Sequence, residues 1–168
     1  MSDEPKLHHL SEDDKARMVD VGGKSVSRRR AVAEAWVDVG EVVAALLREK
    51  GAVAKGNVLE TARMAAIMAA KETATLIPMC HPIPIDAIDI EATLTGDRVR
   101  IVTSVTAEAR TGVEMEAMTA AAVAALTVYD MVKSAGKGVT IGPVRLLEKE
   151  GGKSGHWRRE EESGDADG

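Results

Sequence analysis

Two charged residues interrupt the most apolar stretch of this chain. Residues 117–134 are almost wholly Ala, Val, Met, Leu and Thr, yet they include Asp130 and Lys133, three apart and so on one side of a helix. The helix dipole favours Lys133 near a C-terminus and disfavours Asp130 there. A half-buried structural pair fits this spacing, and so does an acid–base pair. Upstream, Glu114 and Glu116 lie two apart. On an extended segment both carboxylates share a face, suiting acid–base work, cation binding or a solvated strand end. A helix starting at Glu116 places Asp130 about 21 Å further along its axis. One small substrate does not reach both within one subunit, so either the ligand is long or subunits complete each other's sites.

Lys55 stands in Lys-Gly-Asn, two residues before a helix start. A cation beside the positive end of a helix is like against like unless an anion joins them, and phosphate is the natural anion. A solvated loop lysine is the plain alternative. In LIPMCHPIPI (76–85), Cys80 and His81 are adjacent among three prolines. A closed zinc site lacks its other ligands, because the remaining histidines lie in the terminal segments. A Cys–His nucleophilic pair needs facing side chains, and neighbours on an extended segment point opposite ways. The sequence therefore assigns no metal here. GGKSG (151–155) imitates a phosphate-binding P-loop, but Leu147 stands where its first glycine belongs and a charged tail follows instead of a helix. A mobile lysine on a glycine hinge is the better reading.

These residues must be positioned by an α+β domain. The pattern predicts a short strand over 18–22 and a helix over 27–51, capped by Ser27 and carrying Ala31, Ala35, Val39, Val42 and Leu46 at helical spacing. A second helix spans 55–78, with Asn57 as N-cap and Pro78 as stop. Residues 86–105 alternate across a Gly96-Asp97 turn as a β-hairpin. The segment 114–138 enters a third helix that Gly136 and Gly138 terminate, and 139–150 is a strand with Pro143 at an edge or bulge. This order suggests a ferredoxin-like antiparallel sheet with helices packed on one face. Residues 18–150 form the single domain, between a polar segment (1–17) expected to be disordered and a mobile acidic tail (151–168).

With 45 % apolar and 29 % charged residues, the chain has the composition of a soluble globular protein. Aromatics make up only 2 %, so Ala, Val, Ile, Leu and Met must build the core, which favours closely spaced helices. One cysteine fits a reducing compartment, and the start has neither the charge nor the apolar run of a signal peptide. A cytoplasmic protein without a membrane span is expected. Of the net charge of −5, each terminal segment supplies −2, leaving the body near neutral. That balance argues against a nucleic-acid partner.

Several blocks together resemble one family. KGNVLETARMAAIMAAK, LIPMCHP, TGVEMEAMTAAAVAALTVYDMVK, IGPVRLL and GGKSG occur here in the order seen in the molybdenum cofactor biosynthesis protein C family, the cyclic pyranopterin monophosphate synthases. The resemblance covers roughly residues 18–155. It implies a ferredoxin-like subunit assembled as a homohexamer, a trimer of dimers, with sites at subunit interfaces. It also implies a small nucleotide-derived substrate, a 3′,8-cyclised dihydroguanosine triphosphate, converted to cyclic pyranopterin monophosphate with release of pyrophosphate. The family's site positions fall on Lys55; on Met79, Cys80 and His81; on Glu114, Met115 and Glu116; and on Asp130 and Lys133. Asp130 takes the catalytic position, Lys153 that of a mobile phosphate-facing lysine, and Arg29 more loosely that of a basic residue. Arg28 and Arg30 remain candidates, because the local register of SRRR is ambiguous. On this resemblance Asp130 is the general acid–base, with Lys133 tuning or sharing its proton. Glu114 and Glu116 hold or protonate the base, and Lys55, His81 and Lys153 neutralise the triphosphate. No resident cofactor is required, and whether Mg²⁺ accompanies the triphosphate stays open. A non-catalytic nucleotide- or pterin-binding module and a purely structural oligomer are the rival classes.

Overall fold

Where the spacing predicts a helix over 27–51, a twelve-residue strand, β1 (Ser27–Asp38), runs through the sheet. Ala31, Ala35 and Val39 misled because a spacing of four is also a multiple of two. Ala33 and Val37, fully buried between them, settle the period. Glu34 and Trp36 stand on the opposite face with the β-branched Val32. The helix begins only at Gly40, whose φ of 70° turns the chain away from the strand direction, as α1 (Gly40–Lys50).

The computed structural model describes residues 17–50, 52–53, 56–153 and 155–160. After α1 come the two-residue strands β2 (Ala52–Val53) and β3 (Gly56–Asn57), then α2 (Val58–Lys71) and the short α3 (Thr73–Leu76). Asn57 caps α2 as expected, its side-chain oxygen accepting the Glu60 N–H at 3.1 Å. The hairpin is β4 (Ala87–Thr95) and β5 (Arg98–Ala109), with Gly96 at φ 60° in its turn. Next come α4 (Glu114–Val132), β6 (Thr140–Glu150) and β7 (Trp157–Arg158). No strand forms over 18–22; a turn takes its place, with the Lys24 N–H bonded to the Val21 carbonyl.

The five-stranded sheet has the order β4-β5-β1-β6-β7 and every pairing is antiparallel. Its first four strands, with the helices on one face, make the ferredoxin-like α+β arrangement. Pro143 sits at a bulge: Gly142 and Pro143 both oppose the stretch between Ala35 and Val37, so the missing N–H breaks no regular ladder. The segment past residue 150, read from sequence as a tail, returns to pair Trp157 with Lys149. Residues 1–16 and 161–168, expected to be disordered or mobile, lie outside the described residues.

One core joins the inner sheet face to α2 and α4. Its helix surfaces are alanines, Ala62, Ala66 and Ala70 against Ala117, Ala121 and Ala124, which let backbones approach closely in place of the missing aromatics. Buried Thr103 donates its hydroxyl to the Ala117 carbonyl at 2.8 Å, tying the first turns of α4 to β5. By length and composition α4 alone among the described helices could cross a membrane, but it packs against the sheet and α2.

Candidate active site

The segment between α3 and β4 carries no regular structure. It opens with a turn in which the Cys80 N–H bonds to the Ile77 carbonyl at 3.1 Å. Prolines at 78, 82 and 84 restrict Ile77, His81 and Ile83 to extended geometry, and Met79, Cys80 and His81 form one wall of a cleft. That wall faces the N-terminus of α4 across a cleft of about 440 Å³. Glu114, Met115 and Glu116 supply the other wall, with Thr111 and Gly112 beneath them. Val19, Val21 and Lys24 close one side. The valine alternation read as a strand thus serves to turn two side chains into a cleft.

Glu114 and Glu116 do not share a face, because both lie in the first turn of α4 and not on an extended segment. Successive helical residues are 100° apart, so a spacing of two separates them widely. The separation gives them different environments. Glu114 reaches Lys149 of β6 at 3.1 Å. Gly112 permits this, since a Cβ there would collide with the Glu114 carboxylate. Glu116 is 3 % exposed, and its Oε2 has no hydrogen-bond partner. Burial pushes its carboxyl up from the ordinary range and the Glu114 charge adds to this, against the pull of its own backbone N–H. Burial, and then the Glu116 charge, likewise raises the Cys80 thiol, which therefore stays protonated and is a poor nucleophile.

Cations gather at the same end of the sheet. Arg29, half-buried near the start of β1, donates to the carbonyls of Ala109 at 3.3 Å and Arg110 at 3.5 Å, immediately before Thr111. Gly151 (φ 99°) and Gly152 (φ 75°) carry the chain across β1. Side chains there would strike the Arg28 carbonyl and the Arg29 guanidinium. Lys153 follows, exposed, at the tip of this crossing. Lys24 and Lys149 were missed by the sequence reading; Lys149 shares a strand with other charges, and only its pairing with Glu114 singles it out.

Asp130 and Lys133 lie elsewhere. They form a 2.7 Å ion pair in the last turn of α4, each more than half exposed, so the half-buried pair read from the sequence is not found in the single chain. Asp130 raises the Lys133 ammonium, first through their hydrogen bond and then through its charge. Sixteen residues separate Asp130 from Glu114, about 24 Å along the helix. Leu126 and Tyr129 are exposed beside it. Lys55 lies outside the described residues.

Two other charged groups sit apart from the cleft. On the outer sheet face Glu34, 2 % exposed, is held by Arg100 and Arg145 at 2.8–2.9 Å. Burial alone would raise its carboxyl, but the two guanidiniums bring it below the ordinary range. Near the end of β6, Glu148 and Glu150 gather around His156, a set able to ligate a metal, although Arg30 already lies 3.3 and 3.8 Å from the same carboxylates.

Comparison with known proteins matches residues 18–152 to the family described as the MoaC family. A cyclic pyranopterin monophosphate synthase of Nocardioides sp. is 51 % identical over 163 residues, covering 95 % of this chain and 99 % of its own. The enzyme of the same name from Thermomicrobium roseum is 50 % identical, covering 94 % of this chain and 95 % of its own. That from Bordetella avium is 49 % identical, covering 95 % of this chain and all of its own.

Proposed function

Because the chain belongs to the MoaC family, we propose that it is a lyase of molybdenum cofactor biosynthesis acting on 3′,8-cyclised dihydroguanosine triphosphate. It converts this intermediate to cyclic pyranopterin monophosphate and releases pyrophosphate. The observation that carries the reading is the cleft, in which buried Glu116, its Oε2 without a hydrogen-bond partner, faces Met79–His81 while Lys24 lines one side and Lys149 pairs with Glu114.

The reaction rebuilds a purine-derived ring and drives a hydroxyl onto the α-phosphorus as pyrophosphate leaves. Ring rebuilding needs protons moved to and from nitrogen and carbon. Glu116, its carboxyl raised by burial, can exchange a proton with the base, and Glu114 can accept a hydrogen bond from it. Phosphorus displacement needs fixed positive charge around the leaving oxygens. His81, Lys153 and Lys55 fill that role, and Arg29 and Lys149 border it. Asp130 acts as general acid–base with Lys133 as its proton partner. No resident metal or cofactor is needed by these groups; Mg²⁺ can enter with the triphosphate as part of the substrate.

Asp130 then has to reach a cleft 24 Å away along its own helix. A second copy supplies it. The exposed Leu126 and Tyr129 of α4 and Met64 and Met68 of α2 support such packing. The assembly is a homohexamer, a trimer of dimers, in the cytoplasm. Incubating the protein with the cyclised intermediate and measuring pyrophosphate tests the function. Turnover is expected from the native chain and not from Asp130→Asn, whereas no turnover by the native chain would refute the assignment.

A further inference from the structure

The crossing that carries Lys153 is tied down just after it. His156 places Nε2 at 2.7 Å from Glu148 Oε1 and 3.9 Å from Glu150 Oε1, both on β6. From β1, Arg30 meets the same two carboxylates at 3.3 and 3.8 Å. Arg30 supplies the cation that two carboxylates otherwise seek, which favours a side-chain clasp over a metal site here. Beyond it, the contacts are few. β7 adds only two ladder pairs, supplemented by the Arg159 N–H to the Leu147 carbonyl and the Arg159 side chain to the Leu146 carbonyl, both at 2.8 Å. Before it, glycines at φ 99° and 75° form a hinge, and Gly155 has φ 64°. A chain that turns on such residues has little stiffness of its own.

We propose that His156 is a positioning residue: by clasping Glu148 and Glu150 it fixes the far side of the Gly151–Gly152–Lys153 crossing and so sets where Lys153 stands. The same clasp reaches β1 through Arg30, one residue from Arg29, so both cations are set from a single anchor. His156 does not line the cleft and acts only through the chain it anchors. The consequence for substrate rests on the proposed phosphate role of Lys153; the anchoring itself does not.

Backbone hydrogen–deuterium exchange of the full-length protein without substrate tests the anchor. In His156→Ala the amides of Gly155 and Arg159 should exchange about two- to fivefold faster, the range an exposed ion pair supports. The strands β1 and β5 should remain unchanged. His156→Gln, which keeps a donor, should recover most of the protection, and Glu148→Gln should reproduce the loss. In turnover, His156→Ala should raise KM for the cyclised intermediate by a similar factor with little change in kcat. Unchanged exchange at Gly155 and Arg159, or no recovery in His156→Gln, would overturn the clasp. If exchange responds but neither native nor variant protein releases pyrophosphate, the clasp stands and the substrate assignment falls.

Discussion

Glu116→Gln isolates the least ordinary group in the cleft. The substitution keeps shape and volume but removes the ability to ionise. Burial, then the Glu114 charge, holds the native carboxyl above its usual range. With the folded value raised above the unfolded one, Glu116 contributes stability that is complete below the unfolded value. That contribution is lost as pH rises through the folded value. The glutamine has no such dependence, so the difference in melting temperature, variant minus native, should grow from near zero at acidic pH as pH is raised. A buried, unpaired polar group costs about 1–3 kcal/mol. Glu116 lines an open cleft, so the lower half of that range, about 1–2 kcal/mol, applies. For a chain of 168 residues, about 2–4 °C per kcal/mol makes the gain about 2–8 °C. Thermal unfolding of both proteins from pH 5 to about pH 8.5 reads it directly. A melting difference that stays flat with pH would show that Glu116 is solvated or partnered, and the account of a carboxyl raised by burial in the cleft would fail.

Cys80→Ser should keep most turnover, because burial and the nearby Glu116 charge hold the thiol protonated; complete loss with normal folding would restore a role for sulfur. Gly151→Ala should cost more than Gly155→Ala. Both have positive φ, worth about 1–2 kcal/mol for a residue with a Cβ, but only the Gly151 position also drives its Cβ into the rigid Arg28 carbonyl. Equal melting temperatures for the two variants would mean that the chain crosses β1 at a greater height than described.

The sequence disclosed local structure best where the signal had a single meaning. The Asn57 cap, the Gly96-Asp97 turn and the Pro143 bulge each rest on chemistry that admits few alternatives, and each is found. The strand β1 was hidden because Ala31, Ala35 and Val39 satisfy both periods, and alanine has no strong strand preference to break the tie. Glu114 and Glu116 stand out in the sequence as a pair, but their relation depends on where α4 begins. Starting two residues earlier turns a shared face into two separate environments. Lys149 and the Glu34–Arg100–Arg145 group were beyond reach because they depend on strand register across 35 to 111 residues of chain. Asp130 and Lys133 were legible as chemistry but not as geometry, since in one chain they face outward.

That outward placement makes the shared site the central claim, and mixing two inactive variants tests it most directly. Asp130→Asn and Glu114→Gln are each expected to be inactive alone. After subunit exchange at equal amounts, a site needing Asp130 from one copy and Glu114 from another is intact in about one case in four for a symmetric assembly. Pyrophosphate release from the cyclised intermediate should therefore recover to about a quarter of the native rate. No recovery, with exchange demonstrated by mass spectrometry, would place both residues in one chain's site and contradict the account.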